Sequence, residues 1–411
     1  MGSGVIGVTT AYMLARDGHN VKVIDCAPQA ARGTSYANGA QLSFSHIEAL
    51  SSPSSIKQMI SALIRPNSFL SLNKIDKNLL KFVTGLIKNS GEKNSINIAK
   101  NLFSINQLSK KTFSQLLKEE KIDFNYSQTG ILHIFRSEKS FESAKAFSRF
   151  QNSIGDKSEV LNFTECVEKE PTLVKMIEDR TLKGAILHPE DASGDPYLFC
   201  NNLVKICREK YNVEFIFNEK IKNILTNSKK ITGVNCISQV HMADKYIYAM
   251  GASGLSLLEG IDIDTKIFPV LGNSISVKIG ENNIAPKTSL TDSENRMVYS
   301  RIGDVFRAAG TASLIKSQKT NEKMNRFIKK TISSTFSDYG DLSSAVTWQN
   351  YRPLRFDSTP LICNVEKYGN FYLNTGHGHL GWTMSLGSAE IIRRLILNED
   401  MKEFTFLGRS F

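Results

Sequence analysis

The chain has 411 residues, more than a single hydrophobic core usually serves, so length alone favours two domains. Apolar residues make up 41% and charged residues 22%, near globular averages, which excludes global disorder, and no apolar run approaches the ~20 residues needed to span a bilayer. The formal charge of +11 is spread along the chain without a nucleic-acid motif, so no nucleic-acid partner is expected. The start carries no secretory signal, and Ile6 stands where myristoylation needs Ser or Thr, so no targeting segment is read. Cys26, Cys166, Cys200, Cys207, Cys236 and Cys363 form no C-x-x-C pair and read as free thiols of a reducing cytosol.

In chain order, GSGVIGVTTAYMLARDGHNVKVIDCAP predicts a glycine turn, an amphipathic helix using Val8, Tyr12 and Leu14, a stop at Gly18 and a strand from Val21 to Ile24. From Ser51 to Lys121 the pattern turns to basic helices (IKQMISALI, LLKFVTGLIKN, FSQLLKEEK), interrupted at Pro66, Asn67 and the polar stretch Asn89 to Asn94. Strands are predicted at GILHIF (Gly130 to Phe135), VEFIF (Val213 to Phe217), KYIYAMG (Lys245 to Gly251) and NSISVKI (Asn273 to Ile279). The block FYLNTGHGHLGWTMSLGSAEIIRRLI predicts a strand, a glycine-rich turn and a helix reaching about Leu397. The whole reads as a mixed α/β protein.

Gly2, Gly4 and Gly7 form G-x-G-x-x-G at the mouth of a helix, where small residues let backbone N–H groups approach a pyrophosphate. Asp25 ends the next strand, about where a carboxylate receives the ribose hydroxyls of a dinucleotide; NAD and FAD both remain open on this pattern. The motif ordinarily follows a strand and only Met1 precedes it here, so we expect a start placed about six apolar residues too late, against the rival of a truncated sheet. The GHGHLGWTMS segment precedes the last helix, whose N-terminal end could stabilise a ligand anion, although a plain glycine turn gives the same pattern. Arg352, in WQNYRP, offers a planar fork suited to a carboxylate, and is equally a candidate structural ion pair. No Ser-His-Asp order, P-loop or metal-ligand spacing appears, so no metal is expected and hydrolase and kinase readings lack support.

Taken together, GSGVIG, GTSYANGAQLS, DASGDPYLF, YRPLRFDSTPLI and GHGHLGWTMS resemble the D-amino acid dehydrogenase small-subunit family, within the wider D-amino acid oxidase, glycine oxidase and sarcosine oxidase superfamily. The resemblance runs nearly end to end. It implies an α/β fold with a Rossmann-like FAD-binding domain (1–50, 159–263 and 350–411) and a second α+β substrate domain (51–158 and 264–349), discontinuous in sequence. It implies non-covalent FAD, with Gly2, Gly4 and Gly7 at the pyrophosphate, Asp25 at the ribose, Ser35, Asn38 and Gln41 beside the flavin and Ile221 at the adenine. Gly251 joins the cofactor-binding positions, and Gly378, Leu380, Gly381, Trp382 and Thr383 fall along the pyrimidine edge. Arg352 matches the residue that grips the substrate carboxylate, and His379 falls on the substrate side.

The activity so implied is oxidative deamination of a small D-amino acid. Electrons would pass to a quinone or respiratory-chain acceptor, in the bacterial cytoplasm or on the cytoplasmic face of the inner membrane, which the basic helical insertion would contact peripherally. The alternatives are an oxygen-using glycine or secondary-amine oxidase and a non-catalytic degenerate paralogue. The last draws on the absent first strand and on departures from the family pattern, Leu271 and Asn273 for Lys and Tyr and Ser313 for Glu; His379 also replaces a common Thr.

Overall fold

The computed structural model describes residues 1–65, 68–72, 76–281, 283–314 and 322–407; the predicted break at Pro66 and Asn67 lies outside them. Helix α1 (Val5–Arg16) starts directly after the glycine turn, with Gly4 as a cap that has no side chain to offer. Gly18 reverses the chain at φ +87° and delivers it into strand β1 (Lys22–Ile24). Gly7 is fixed by packing, since a Cβ there would overlap the carbonyl oxygen of Gly2.

Helices α2 (Pro53–Ile64) and α3 (Lys77–Lys88) flank the short strand β2 (Leu70–Leu72). The Asp76 side chain caps α3 by accepting from Leu79 N at 2.9 Å. Helix α4 (Glu92–Glu119) begins inside the polar stretch read as a break, with Gly91 as its cap. Strands β3 (Ile131–Phe135), β4 (Glu159–Leu161) and β5 (Gly184–His188) follow, then α5 (Pro196–Tyr211), capped by Asp195 with Pro196 in its first turn. Next come β6 (Glu214–Ile216), β7 (Ile221–Thr226), β8 (Tyr246–Tyr248) and the long β9 (Ile267–Lys278), of which NSISVKI is the second half. The remaining elements are β10 (Ser289–Asp292), β11 (Met297–Ile302), β12 (Val305–Leu314), β13 (Val346–Arg355), β14 (Leu361–Asn364), β15 (Phe371–Thr375) and α6 (Gly381–Leu397).

Among the described residues the large sheet has nine strands, ordered β13-β9-β12-β11-β10-β3-β5-β4, with β2 added in parallel to β12. Strands β4 and β5 pair with each other and β5 pairs with β3, so residues 159–161 and 184–188 join the large sheet. Residue 350, a boundary expected from the sequence, lies within β13.

The second layer holds two sheet pieces, β1 with β6 and β8-β15-β14, each containing a parallel pair. Met1 and Gly2 run between them. Met1 N donates to Ile247 O at 2.9 Å, Ala249 N donates to Met1 O at 2.9 Å, and Gly2 N donates to Ile24 O at 2.9 Å. The backbone entering the glycine turn thus bonds to both pieces.

Helix α6 packs against α1, where Thr9 Oγ1 donates to Ser385 O at 3.1 Å, and against α4, where Ser109 Oγ donates to Thr383 O. Close approach to α4 requires Gly387, whose Cβ would lie 2.7 Å from Ile105 O. No helix among the described residues is long and apolar enough to cross a membrane. Gly7→Ala should lower stability by about 1–3 kcal/mol, the usual range for forced overpacking, read as a lower denaturant midpoint with an unchanged slope.

Candidate active site

A cavity of about 1030 Å³ lies between the two layers. Its nucleotide-like end is formed by Gly2, Gly4, Val5 and Ile6 at the start of α1, with Asp25, Ile221 and Gly251 around them. Gly4 has room for a side chain in the protein itself, since a Cβ there would meet only Ser35 Oγ, at 3.5 Å, so its bareness serves the cavity and not the packing. The Ser35 hydroxyl accepts from Val5 N at 3.1 Å. The Asp25 carboxylate accepts from Ser3 N (2.6 Å), Ser3 Oγ (2.7 Å) and Ala27 N (2.9 Å), which fixes its orientation and leaves acceptor capacity free.

The other helix start faces the same space. Gly378, His379, Leu380, Gly381, Trp382 and Thr383 all line the cavity, and α6 has no side-chain cap. The Trp382 ring is core, packed edge-on against Phe113 and Phe199. Thr383 Oγ1 accepts from Ser43 N at 3.0 Å, tying this turn to the segment that carries Asn38 and Gln41. Asn38 Oδ1 holds the turn at Ala40 N (2.8 Å), and Gln41 Nε2 donates across to Leu290 O (3.1 Å) in the large sheet.

Arg352 reaches the cavity from β13, passing over Gly272, where any Cβ would overlap the guanidinium. It donates to Thr311 O (2.7 Å) and Gly310 O (3.0 Å), and no carboxylate among the described residues pairs with it. Burial pushes its pKa down to about 10. Arg352 is thus a half-buried cation whose partners among the described residues are neutral carbonyls, a standing site for an anion.

Four imidazoles converge beside it. His379 and His46 have ring centres 5.2 Å apart, His46 and His133 5.9 Å, and His133 and His188 5.0 Å. Burial holds His46 down to about 4, and desolvation with neighbouring charged groups lowers His133 and His379 from the ordinary imidazole range, His379 being the exposed member of the group. His188 Nδ1 meets Asp156 at 3.0 Å, and its hydrogen bond and that of Ser45 outweigh burial and keep Asp156 below the usual carboxylate range. Asp191 next to them accepts from Ser45 N at 3.0 Å, but its second oxygen has no partner and burial pushes its pKa up to about 7. His377 is structural: it is buried, and its Nε2 meets Ser388 Oγ at 2.8 Å.

Of the cofactor- and substrate-binding residues expected from the sequence, all but Gly7 line this one cavity. Residues 1–395 match the family described as FAD dependent oxidoreductase. The chain belongs to this family. It is similar to the D-amino acid dehydrogenase of Vibrio vulnificus (strain CMCP6), 31% identical over 97% of this chain and 95% of that protein. It is also similar to the D-amino acid dehydrogenase of Neisseria meningitidis serogroup C, 32% identical over 97% and 95%. The glycine oxidase structure from Bacillus cereus ATCC 14579 shares the fold, with a TM-score of 0.71 and 20% identity, covering 97% of this chain and 96% of that one.

The cavity fits FAD. Two uncapped helix starts open into it, Gly4 leaves a gap where packing does not demand one, and Asp25 stands at the end of β1. Two of the family departures also find a structural reason. Leu271 and Ser313 are direct partners across β9 and β12, so the Lys and Glu that the resemblance leads one to expect would face each other as a pair. Neither residue lines the cavity, whereas Asn273 does and contacts Thr311.

Sequence reading gave no role to His46, His133, His188, Asp156, Arg296 or Asp191, although Asp191 opens the quoted block DASGDPYLF. The pairing of the His133 and His188 strands and the loops around them bring these residues together. Because Asp191 is raised above its unfolded value, the stability it contributes is complete below about pH 4 and lost as pH rises through about 7. The stability of Asp191→Asn relative to the parent should therefore grow between pH 4 and pH 8 by more than about 1 kcal/mol, measured by denaturant unfolding across that window.

Proposed function

We propose that the protein oxidises the Cα–N bond of a D-amino acid, yielding an imino acid that water converts to a 2-oxo acid and ammonia, with electrons passed to a quinone. The observation that carries this reading is Arg352, a half-buried guanidinium with no acidic partner among the described residues, in the cavity of an FAD-dependent oxidoreductase. Gly2, Gly4, Asp25, Ser35, Asn38, Gln41, Ile221, Gly251 and the turn from Gly378 to Thr383 would hold FAD, which supplies the two-electron acceptor.

The remaining work falls to the chain's own groups. Arg352 has donors to spare after its two carbonyl contacts, enough to take a carboxylate and fix the orientation of Cα. His379, lining the same cavity with its pKa lowered by desolvation and neighbouring cations, offers the substrate amine a hydrogen-bond acceptor. The names of the relatives, D-amino acid dehydrogenase, favour a D-amino acid over other carboxylates.

The proposed test is anaerobic bleaching of the bound flavin. D-amino acids should bleach it and L-amino acids should not, and a soluble quinone should restore the colour faster than air. Peroxide released at the rate of turnover would overturn the dehydrogenase reading in favour of an oxidase. Arg352→Ala should lose roughly 100-fold in kcat/KM, chiefly through KM, as expected when a charge-assisted bidentate contact is removed; an unchanged KM contradicts the anchoring role.

We further propose contact with an anionic membrane surface through α2 and α3, in line with a cytoplasmic-face location. On α3, Leu79, Phe82 and Leu86 are buried while Leu80, Val83 and Ile87 form a second apolar stripe that stays exposed. Ile60, Leu63 and Ile64 of α2 extend it, and residues 51–88 carry six Lys or Arg against one acid, Asp76. Ile60, Leu63, Val83 and Ile87 also line the cavity, which puts its opening at this surface. Vesicles of anionic phospholipid should pellet the protein in low salt and release it in high salt. Leu80→Ser with Ile87→Ser should weaken pelleting about tenfold or more, and equal pelleting of parent and variant would exclude this face.

A further inference from the structure

The charges lining the cavity say which substrate side chain it accepts; this inference rests on the reading of Arg352 as the carboxylate anchor. Among the described residues only two carboxylates line the cavity, Asp25 and Glu219. Both belong to the nucleotide-like end, where Glu219 N donates to Asp25 O at 3.0 Å. Both are also engaged: Asp25 by Ser3 and Ala27, and Glu219 by the backbone and hydroxyl of Ser238. Among the described residues no acid remains near Arg352 to receive a cationic side chain.

The second cation of that region is engaged as well. Arg296 Nε donates to Gln58 Oε1 at 2.8 Å, its Nη2 donates to Ser55 Oγ at 3.2 Å, and Glu48 lies 3.9 Å from its guanidinium. Among the described residues Arg352 is thus the one guanidinium lining this region that is held by neutral groups alone. It matches one carboxylate, and a second anion on the substrate would be left without its own cation.

On one side of the anchor the cavity wall is apolar. Arg352 is bonded to Thr311 O, and the next residue, Ala312, pairs with Leu70 and donates to Phe69 O at 2.7 Å. Phe69 and Leu70 line the cavity together with Ile56 and Met59 of α2 and Phe82 of α3, whose ring stacks on Phe268 at 4.9 Å. We infer that Ile56, Met59, Phe69, Leu70 and Phe82 form an apolar side-chain subsite, so that the substrate is a D-amino acid with an uncharged hydrocarbon or thioether side chain, of the size of leucine or methionine. A basic or acidic side chain would be buried there without a partner, at a cost that removal of water does not return.

The test uses the FAD-loaded full chain. With a dye as electron acceptor, kcat/KM for D-leucine and D-methionine should exceed that for D-alanine by about tenfold, the gain expected from filling an apolar pocket with further methylenes. D-lysine, D-arginine and D-aspartate should fall below D-alanine. Calorimetry with carboxylates that carry no α-amine gives a readout free of turnover: 4-methylpentanoate should bind about tenfold tighter than 6-aminohexanoate or glutarate. Met59→Ala should cut the D-leucine to D-alanine ratio by about tenfold. If that variant does not fold, the carboxylate series on the parent protein decides.

Charged and apolar carboxylates binding equally, or D-lysine turned over as fast as D-leucine, would overturn the subsite. If no D-amino acid bleaches the flavin and 4-methylpentanoate is still preferred, the proposed reaction falls and the apolar subsite stands. If D-amino acids bleach it with no side-chain preference, the reaction stands and the subsite falls.

Discussion

Two helices start at one cavity without side-chain caps, and the rest of the architecture serves to hold those two starts together. The first-turn amides of a helix need acceptors, and buried ends without them are costly. At α1 the cap is Gly4 and at α6 it is Leu380, and neither supplies an oxygen. A ligand rich in anionic oxygens answers both ends at once. The packing is correspondingly tight: Gly7 lets α1 close on the glycine turn, Gly387 lets α6 close on α4, and Thr9 ties α1 to α6. These contacts fix where the ligand atoms must lie before any ligand arrives.

The large sheet supplies the second half of the site and does so by register. The pairing of β9 with β13 sets Arg352 opposite Val270, and Gly272 two residues on clears the path of the guanidinium. The bulge in the β9-β12 ladder between Leu271 and Asn273 lies alongside, next to Thr311, which has a left-handed backbone and offers its carbonyl to Arg352. A one-residue slip in either ladder would turn Arg352 away from the cavity. The anchor's position is therefore a property of three strands together.

This contrast explains what was legible in the sequence. The turn, helix and strand around Gly2 to Asp25, and the strand, turn and helix ending near Leu397, are local patterns, and the elements lie within a residue or two of where those patterns put them. The resemblance supplied Ser35, Asn38, Gln41, Ile221 and Gly251, which meet only in three dimensions. Strands β4 and β5 join the large sheet by pairing with each other and with β3, and no residue within them announces that partner. The histidine group was missed for the same reason, since His46 lies in a loop, His133 and His188 on paired strands, and His379 in the final turn.

The departures from the family pattern bear on whether the chain is a decayed copy. Leu271 and Ser313, where the resemblance leads one to expect Lys and Glu, sit opposite each other and outside the cavity, so neither leaves a charge facing a neutral partner. Arg352, meanwhile, stands half-buried at the cavity with carbonyl contacts and no acid among the described residues to offset it, so an anion is the partner such a residue calls for. With a clear path over Gly272 and His379 lining the same cavity, the arrangement suits a carboxylate and speaks against a decayed copy.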